Sequence, residues 1–315
     1  MGFAVIAATN AGRLLVGLLV VIGATSCATA GEEGAASAIP TPRIAADFTL
    51  PLDAYDLSAA DRKIVDRARF MMLADCTRTF GVELKPPPPS PGRTERHGNA
   101  DYLAWLGDLQ VEKYGYAGPP ARLVENFTRY SVTDEQAILI EGKRRKFNGK
   151  TVPAGGCMGR TEALLDQGAP ELLGGKAAGV RVEQDLFVLA DDAADGAYKD
   201  ARIREAERVW SDCMKDAGFD YPDTLAARGD PRWAYNAATD QLPKPRTPTE
   251  IATASADAAC RMATNYSGAR QAAYRDSQQR IIAKNQARLD RIKVINQAQI
   301  KNARKFLAGE LAVTW

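Results

Sequence analysis

The chain has 315 residues, with 41 Lys and Arg against 39 Asp and Glu, a formal net charge of +2, one His and five Cys. A single histidine excludes a multi-His metal site, and near-neutral charge argues against a nucleic-acid-binding protein built on a basic surface. With 45% hydrophobic and 25% charged residues, the composition is that of a globular domain rather than a disordered chain or a multi-span membrane protein.

At the N-terminus, Arg13 is the only charge before Glu32, and Leu14–Ala24 is an apolar run. That run is too short for a bilayer, which needs about 20 apolar residues, but has the length of a signal-peptide core. Thr25, Ser26 and Cys27 follow at once. Small residues before a cysteine behind such a core resemble the lipobox of bacterial lipoproteins, with Ala24 departing from the leucine preferred there. The resemblance implies a signal peptide over 1–26, a diacylglycerol on Cys27 and anchoring to the outer face of a bacterial membrane. A plain secretory signal cut near Ala28-Thr29-Ala30 is the alternative. A myristoyl signal fails because Ile6 stands where Ser or Thr is required. Residues 27–50, rich in Ala, Gly, Glu and Pro, read as a lipid anchor and flexible tether of roughly 25–30 Å.

The remaining chain divides into a first helical half, 51–175, and a second, 176–315. Ser58 with Asp61 three residues on caps a predicted helix ending at Gly81, with Ile64, Ala68, Met71 and Met72 on its apolar stripe. Pro86–Pro91 enforces an extended segment. Thr133–Gln136 is a capping box opening a short helix, and Asn148-Gly149 fits a hairpin turn. Gly155-Gly156-Cys157 leads into a helix ending near Asp166. From Val182 to Gly218 the pattern is helical with a weak point at Asp195-Gly196. Thr247-Pro248-Thr249-Glu250 combines cap, N1 proline and N3 glutamate. The final helices run nearly to the end, with a break expected at Gly268.

If Cys27 is acylated, Cys76, Cys157, Cys213 and Cys260 remain, spaced by 81, 56 and 47 residues. Without close pairs, zinc is not expected. Asp75-Cys76…Gly81 echoes Asp212-Cys213…Gly218, each placing a cysteine five residues before a C-capping glycine. Three connectivities are possible. The echo favours the sequential one, Cys76–Cys157 and Cys213–Cys260. The segment Trp210-x2-Cys213-Met214-x3-Gly218-x2-Tyr221, followed by Glu250-x6-Asp257-x2-Cys260 and a long polar helix, resembles a pattern of uncharacterised actinobacterial secreted lipoproteins. That resemblance spans roughly 58–315 and implies location and fold without an activity. The expected fold is mostly α: a disulfide-stapled helical domain with a long C-terminal helix and irregular Pro/Gly-rich loops.

Chemistry is sparse. His97 lies in a polar loop, and no G-x-S-x-G, S-x-x-K or phosphate-cradling glycine motif is found. Asp191 to Gly196 resembles a calcium loop only until Arg202 falls where a bidentate glutamate is required. Asp101, Glu112, Glu141 and Glu162 are nominal carboxylates for an envelope hydrolase. No catalytic, cofactor or metal residue is assigned. Trp105, Tyr114, Tyr116, Trp233 and Tyr235, all in loops, are candidates for a ligand groove. Residues 270–315 hold ten basic and three acidic side chains. Ile281, Ile282, Leu289, Ile292, Ile295, Phe306 and Leu307 form an apolar stripe there, interrupted by Lys284, Asn285, Arg288, Asn296 and Gln299. The basic face suits an anionic envelope polymer, lipid headgroups or an acidic partner. Nucleic acid is not expected as a partner. The leading expectation is a non-enzymatic binding or scaffold lipoprotein. An envelope hydrolase and a solute-binding lipoprotein are the alternatives.

Overall fold

The computed structural model describes residues 39–92, 98–120, 122–128, 130–175, 182–234 and 246–315. The expected signal peptide over 1–26, Cys27, His97 and Tyr235 lie outside them.

Ten α-helices carry the described chain: α1 Ala59–Thr79, α2 Val111–Tyr114, α3 Asp134–Ile140, α4 Gly156–Leu165, α5 Ala169–Leu172, α6 Val182–Tyr198, α7 Ala201–Asp216, α8 Thr224–Arg228, α9 Pro248–Ala263 and α10 Tyr266–Leu307. Among the described residues strand is confined to two antiparallel pairs, β1 Ser90–Gly92 with β2 Arg122–Val124, and β3 Lys146–Phe147 with β4 Lys150–Thr151 around Asn148-Gly149. The fold is therefore mostly α with a long terminal helix, as the patterning predicts.

The caps sit where the sequence puts them. Ser58 Oγ accepts from Asp61 N at 3.0 Å, Thr133 and Gln136 form a reciprocal capping box, and Thr247 Oγ1 accepts from Glu250 N at 3.1 Å. Each satisfies backbone N–H groups that a helix start leaves without partners. Thr247→Ala is expected to cost about 1 kcal/mol, read as a lower urea midpoint with unchanged slope.

Helix α10 organises the rest. Its 42 residues extend about 63 Å at 1.5 Å per residue, with a kink at Asn285, whose side chain donates to Ile281 O. Leu289, Ile292 and Ile295 are buried and carry the expected stripe. The polar residues that interrupt it divide into two kinds. Lys284 is exposed, whereas Asn296 and Gln299 are buried. The buried amides act as clamps: Asn296 donates to Tyr55 O, Gln299 to Asp166 Oδ1, Asn302 to Leu165 O and Gln167 O, Gln271 to Asp47 O, and Gln278 accepts from Leu52 N. An amide carries both donor and acceptor, so it satisfies buried backbone groups of non-helical segments that an aliphatic side chain would leave unpaired.

Those clamps revise the tether. From Ile39 onward the chain belongs to the folded unit. Ile39 O accepts from Asn265 Nδ2, Ala45–Asp47 form a 3₁₀ turn, and Phe48 and Leu50 are buried. Residues 39–50 are therefore not a tether, because Phe48 and Leu50 pack with Leu103, Ala273 and Tyr274 and fix the segment against α10.

Several boundaries also move. In α1 the buried stripe is Val65, Ala68, Met72 and Cys76, while Met71 is 39% exposed. Gly196 lies inside α6, where a Cβ would stand 2.4 Å from Ser277 Oγ. It permits close packing on α10 rather than breaking the helix. The break comes at Lys199-Asp200, with Asp200 capping α7 through Arg202 N. Gly268 likewise lies within α10, against Pro40 O, and the break falls at Thr264-Asn265.

Cys76 is bonded to Cys157 and Cys213 to Cys260, the sequential pairing. Phe70, Leu73, Phe80, Leu139, Ile140 and Phe147 surround the first disulfide. The second sits among Trp210, Met214, Trp233, Ala254 and Tyr266. The sequence halves are not packing units, however. Leu106, Leu109, Val111 and Tyr116, from the first half, join the second cluster, and Ala303 of α10 packs on Val65, Ala68 and Met72 of α1.

Candidate functional site

The N1 proline of α9 follows Thr247, and one face of α9 carries Glu250 in the first turn and Asp257 and Arg261 about two and three turns further on. Asp257 is fully buried and Arg261 is 7% exposed. Their i, i+4 spacing brings Arg261 Nε to 2.6 Å from Asp257 Oδ1 and Nη2 to 2.8 Å from Oδ2. The same carboxylate accepts from Trp210 Nε1 at 2.8 Å and from Tyr116 OH at 2.9 Å. Four donors on one buried carboxylate satisfy the condition under which such a charge is tolerated. Tyr116 N donates to Glu250 Oε1 at 3.1 Å. This approach needs Gly115, with φ +56°, because a Cβ there would stand 2.5 Å from that oxygen. Burial, reinforced by Asp257, holds the Tyr116 phenol far above its ordinary pKa, so it remains a donor.

Arg261 also donates from Nη1 to Ala104 O at 2.7 Å. Ala104 has φ +55° and Asn265, at the α9–α10 junction, φ +50°. Left-handed backbone is tolerated by asparagine but strained for alanine, by roughly 1–2 kcal/mol. Between these two positions lies a cavity of about 120 Å³, lined mainly by apolar surface. Its walls include Pro42 of the N-terminal segment, Trp105 and Leu106 of the loop, Ala258, Arg261 and Met262 of α9, and Asn265. The Trp105 ring packs on Phe48 with centroids 4.4 Å apart. Asn265 Nδ2 is engaged with Ile39 O, but its buried Oδ1 has no hydrogen-bond partner.

The expected aromatic groove is redistributed. Trp105 lines the cavity. Tyr116 and Trp233 are only 7% and 6% exposed and stack on each other at 6.2 Å. They are core side chains of the second disulfide cluster rather than walls of an open groove. Tyr114 lies beneath Arg246, whose guanidinium is 5.4 Å from the ring centroid. Asp101, Glu112 and Glu141 are exposed; Glu162 is half-buried and paired with Arg69 at 2.7 Å. None of the four lines the cavity. Among the described residues no cluster of three His, Cys, Asp or Glu is placed to hold a metal ion, and Asp191–Gly196 is helical rather than a loop.

Part of the basic face of α10 is engaged inside the fold. Helix α6, which packs along it, has five acids and no base in its sequence. Arg288 pairs with Asp185, and Arg304 with Asp61 of α1 at 2.7 Å. Lys293 lies over the Tyr55 ring. Arg270 is buried among Tyr198, Tyr266 and Tyr274, with ring centroids 5.5–5.8 Å away, and donates to Tyr102 O. Burial pushes the Tyr266 phenol up to about 12; its hydroxyl donates to Glu207 at 2.7 Å. Lys284, Lys301 and Lys305 remain exposed.

Sequence reasoning missed Arg261 and Asn265. The Asp-x3-Arg spacing beside Cys260 is a legible signal for the ion pair. Nothing local signals that the loop around Ala104 returns to it. Compared with known proteins, the chain matches no family, no characterised relative and no solved structure.

Proposed function

We propose that the chain is a cell-envelope lipoprotein, anchored through a diacylglycerol on Cys27, whose folded domain binds a small ligand without chemical turnover. The two disulfides point to an oxidising, extracytoplasmic compartment, and the lipobox-like run ending at Cys27 supports the anchor. No helix among the described residues is long and apolar enough to cross a membrane.

The observation that carries the binding reading is the cavity between Trp105 and Arg261. It is concave and mainly apolar with Arg261 in its lining, traits it shares with small-molecule sites, at about 120 Å³ against their usual range of roughly 300–1,000 Å³. Among the described residues its lining holds no carboxylate, histidine or cysteine to serve as general base for the Thr41 or Ser267 hydroxyl. That favours binding over hydrolysis. Arg261, the cationic group in the lining, is already neutralised by Asp257 and serves as an oriented donor.

The anchor is tested by Cys27→Ala. The variant is expected in the soluble fraction after cell lysis, with the unaltered chain in the membrane fraction. Unchanged membrane retention of the variant contradicts the anchor.

A further inference from the structure

We propose that the flank of α10 carrying Lys284, Arg291, Lys301 and Lys305 docks the folded domain on the anionic phospholipid surface to which the chain is anchored. The inference rests on the Cys27 anchor for where the membrane lies, and goes on to name the face that meets it.

Charge singles out the face. Between Lys284 and Lys305 the sequence holds seven basic residues and one acid, Asp290. The fold engages three of the seven: Arg288 pairs with Asp185, Arg304 with Asp61, and Lys293 lies over the Tyr55 ring. Among the described residues no acid stands within ion-pair distance of the other four. Lys284, Lys301 and Lys305 are exposed and Arg291 is half-buried. Asp290 accepts from the Gln286 amide, and the α6 carboxylates Asp185 and Asp192 act on Arg288.

Spacing makes the four a row. Successive separations of 7, 10 and 4 residues keep them within roughly 100° of the helix circumference, along about 32 Å of its axis. Ala287 and Val294, between them on that flank, carry no charge. Each basic side chain close to an anionic lipid surface strengthens partition about fivefold, and a row acts together when the whole of it lies within the screening length, about 10 Å.

Position selects the partner. Asn265 Nδ2 donates to Ile39 O, and Gly268 lies against Pro40 O, so the chain enters the folded unit at the first turn of α10. Residues 27–38 alone separate that point from Cys27. A stretch of this length spans at most about 40 Å when fully extended, less than the length of α10. An acylated Cys27 therefore keeps this end of the helix near the headgroups, and α10 resting along the surface brings the row within the screening length. The tether raises the effective concentration of the bilayer and does nothing for a soluble acidic partner.

Labelling of lysines with an amine-reactive ester, mapped by mass spectrometry, tests the face. The purified chain is reconstituted in vesicles of phosphatidylcholine alone or with about one-third phosphatidylglycerol, and the vesicles are floated before labelling. Lys146 and Lys215, exposed and outside α10, are internal controls. At low salt, phosphatidylglycerol is expected to slow labelling of Lys284, Lys301 and Lys305 at least threefold and to leave the controls unchanged. Salt at about 1 M, where the screening length falls to about 3 Å, is expected to restore the rates. The exposed double substitution Lys301→Gln with Lys305→Gln is expected to remove most of the protection at Lys284, with an unchanged circular dichroism spectrum. Equal rates in the two vesicles, equal slowing of Lys146 and Lys215, or unchanged protection of Lys284 in the double variant overturns the docking face and leaves the anchor standing. Flotation with the phosphatidylglycerol vesicles alone overturns the anchor and supports the face, and flotation with neither overturns both. Protection by soluble poly(glycerol phosphate) without protection by phosphatidylglycerol assigns the flank to an anionic polymer and overturns the lipid.

Discussion

Replacing Asp257 by alanine is expected to destabilise the domain by about 3–5 kcal/mol, the range for removing one partner of a buried ion pair. The carboxylate is fully buried and receives Arg261 twice, Trp210 and Tyr116. Its loss leaves a buried indole N–H and a phenol without acceptors and a guanidinium with Ala104 O as its remaining one. Against a typical stability of about 5–15 kcal/mol, a loss of this size brings the protein near unfolding at ambient temperature. Urea denaturation measures it directly. The double variant Asp257→Leu with Arg261→Met removes both charges and is expected to recover more than half of the loss, because apolar replacement of a whole buried pair is close to neutral. A double variant as unstable as Asp257→Ala would show that the cost lies in packing rather than in the orphaned charge.

Removing the Cys76–Cys157 bond by double alanine substitution is expected to cost about 4 kcal/mol. The bond closes a segment with a sequence separation of 81, and constraining the unfolded chain over that length accounts for an effect of this size. Both cysteines are fully buried in the cluster of Phe70, Leu73, Leu139 and Ile140, so the deleted sulfur atoms add a cavity term. The unaltered protein under reducing conditions is expected to lose its urea resistance in parallel. A variant within about 1 kcal/mol of the parent would mean that the helices α1 and α4 hold each other without the staple, against the chain-entropy account.

Much of the fold is legible where a local rule decides it. Ser58, Thr133 and Thr247 begin helices because their side chains accept from the N–H three residues on, and Asn148-Gly149 turns a hairpin because both residues tolerate positive φ, at +46° and +78°. The echo around Cys76 and Cys213 favours, among three connectivities, the disulfide pairing that is found. What is not legible depends on tertiary contact. Glycine marks a break only when nothing packs against it; Gly196 and Gly268 sit inside helices because Ser277 and the Pro40 carbonyl occupy the space a side chain would need. Loop aromatics read as exposed when their loops fold outward, whereas Tyr116 and Trp233 turn inward onto the second disulfide cluster. The cavity has no sequence signature, because Pro42, Trp105 and Arg261 meet only after the N-terminal segment, the loop at 104–107 and α9 converge on Asn265.

The polar residues of α10 show why composition misleads at the terminal helix. Its ten cations and scattered amides resemble a solvated or partner-facing surface. Yet Asn296, Gln299 and Asn302 are the buried grips on neighbouring backbone and side-chain oxygens, Arg270 is enclosed by tyrosines, and α6 supplies the opposing acids. The helix packs as the spine of the domain through these grips, while Lys284, Lys301 and Lys305 stay exposed on its outer face.

The intact mass of the chain purified from the membrane fraction tests the proposal of an anchored, disulfide-stapled envelope protein most directly. The account predicts a chain beginning at Cys27, heavier by a diacylglyceryl group and lighter by the hydrogens of two disulfides. A chain beginning beyond Ala30 without lipid, or one starting at Met1 with its thiols free, would contradict it.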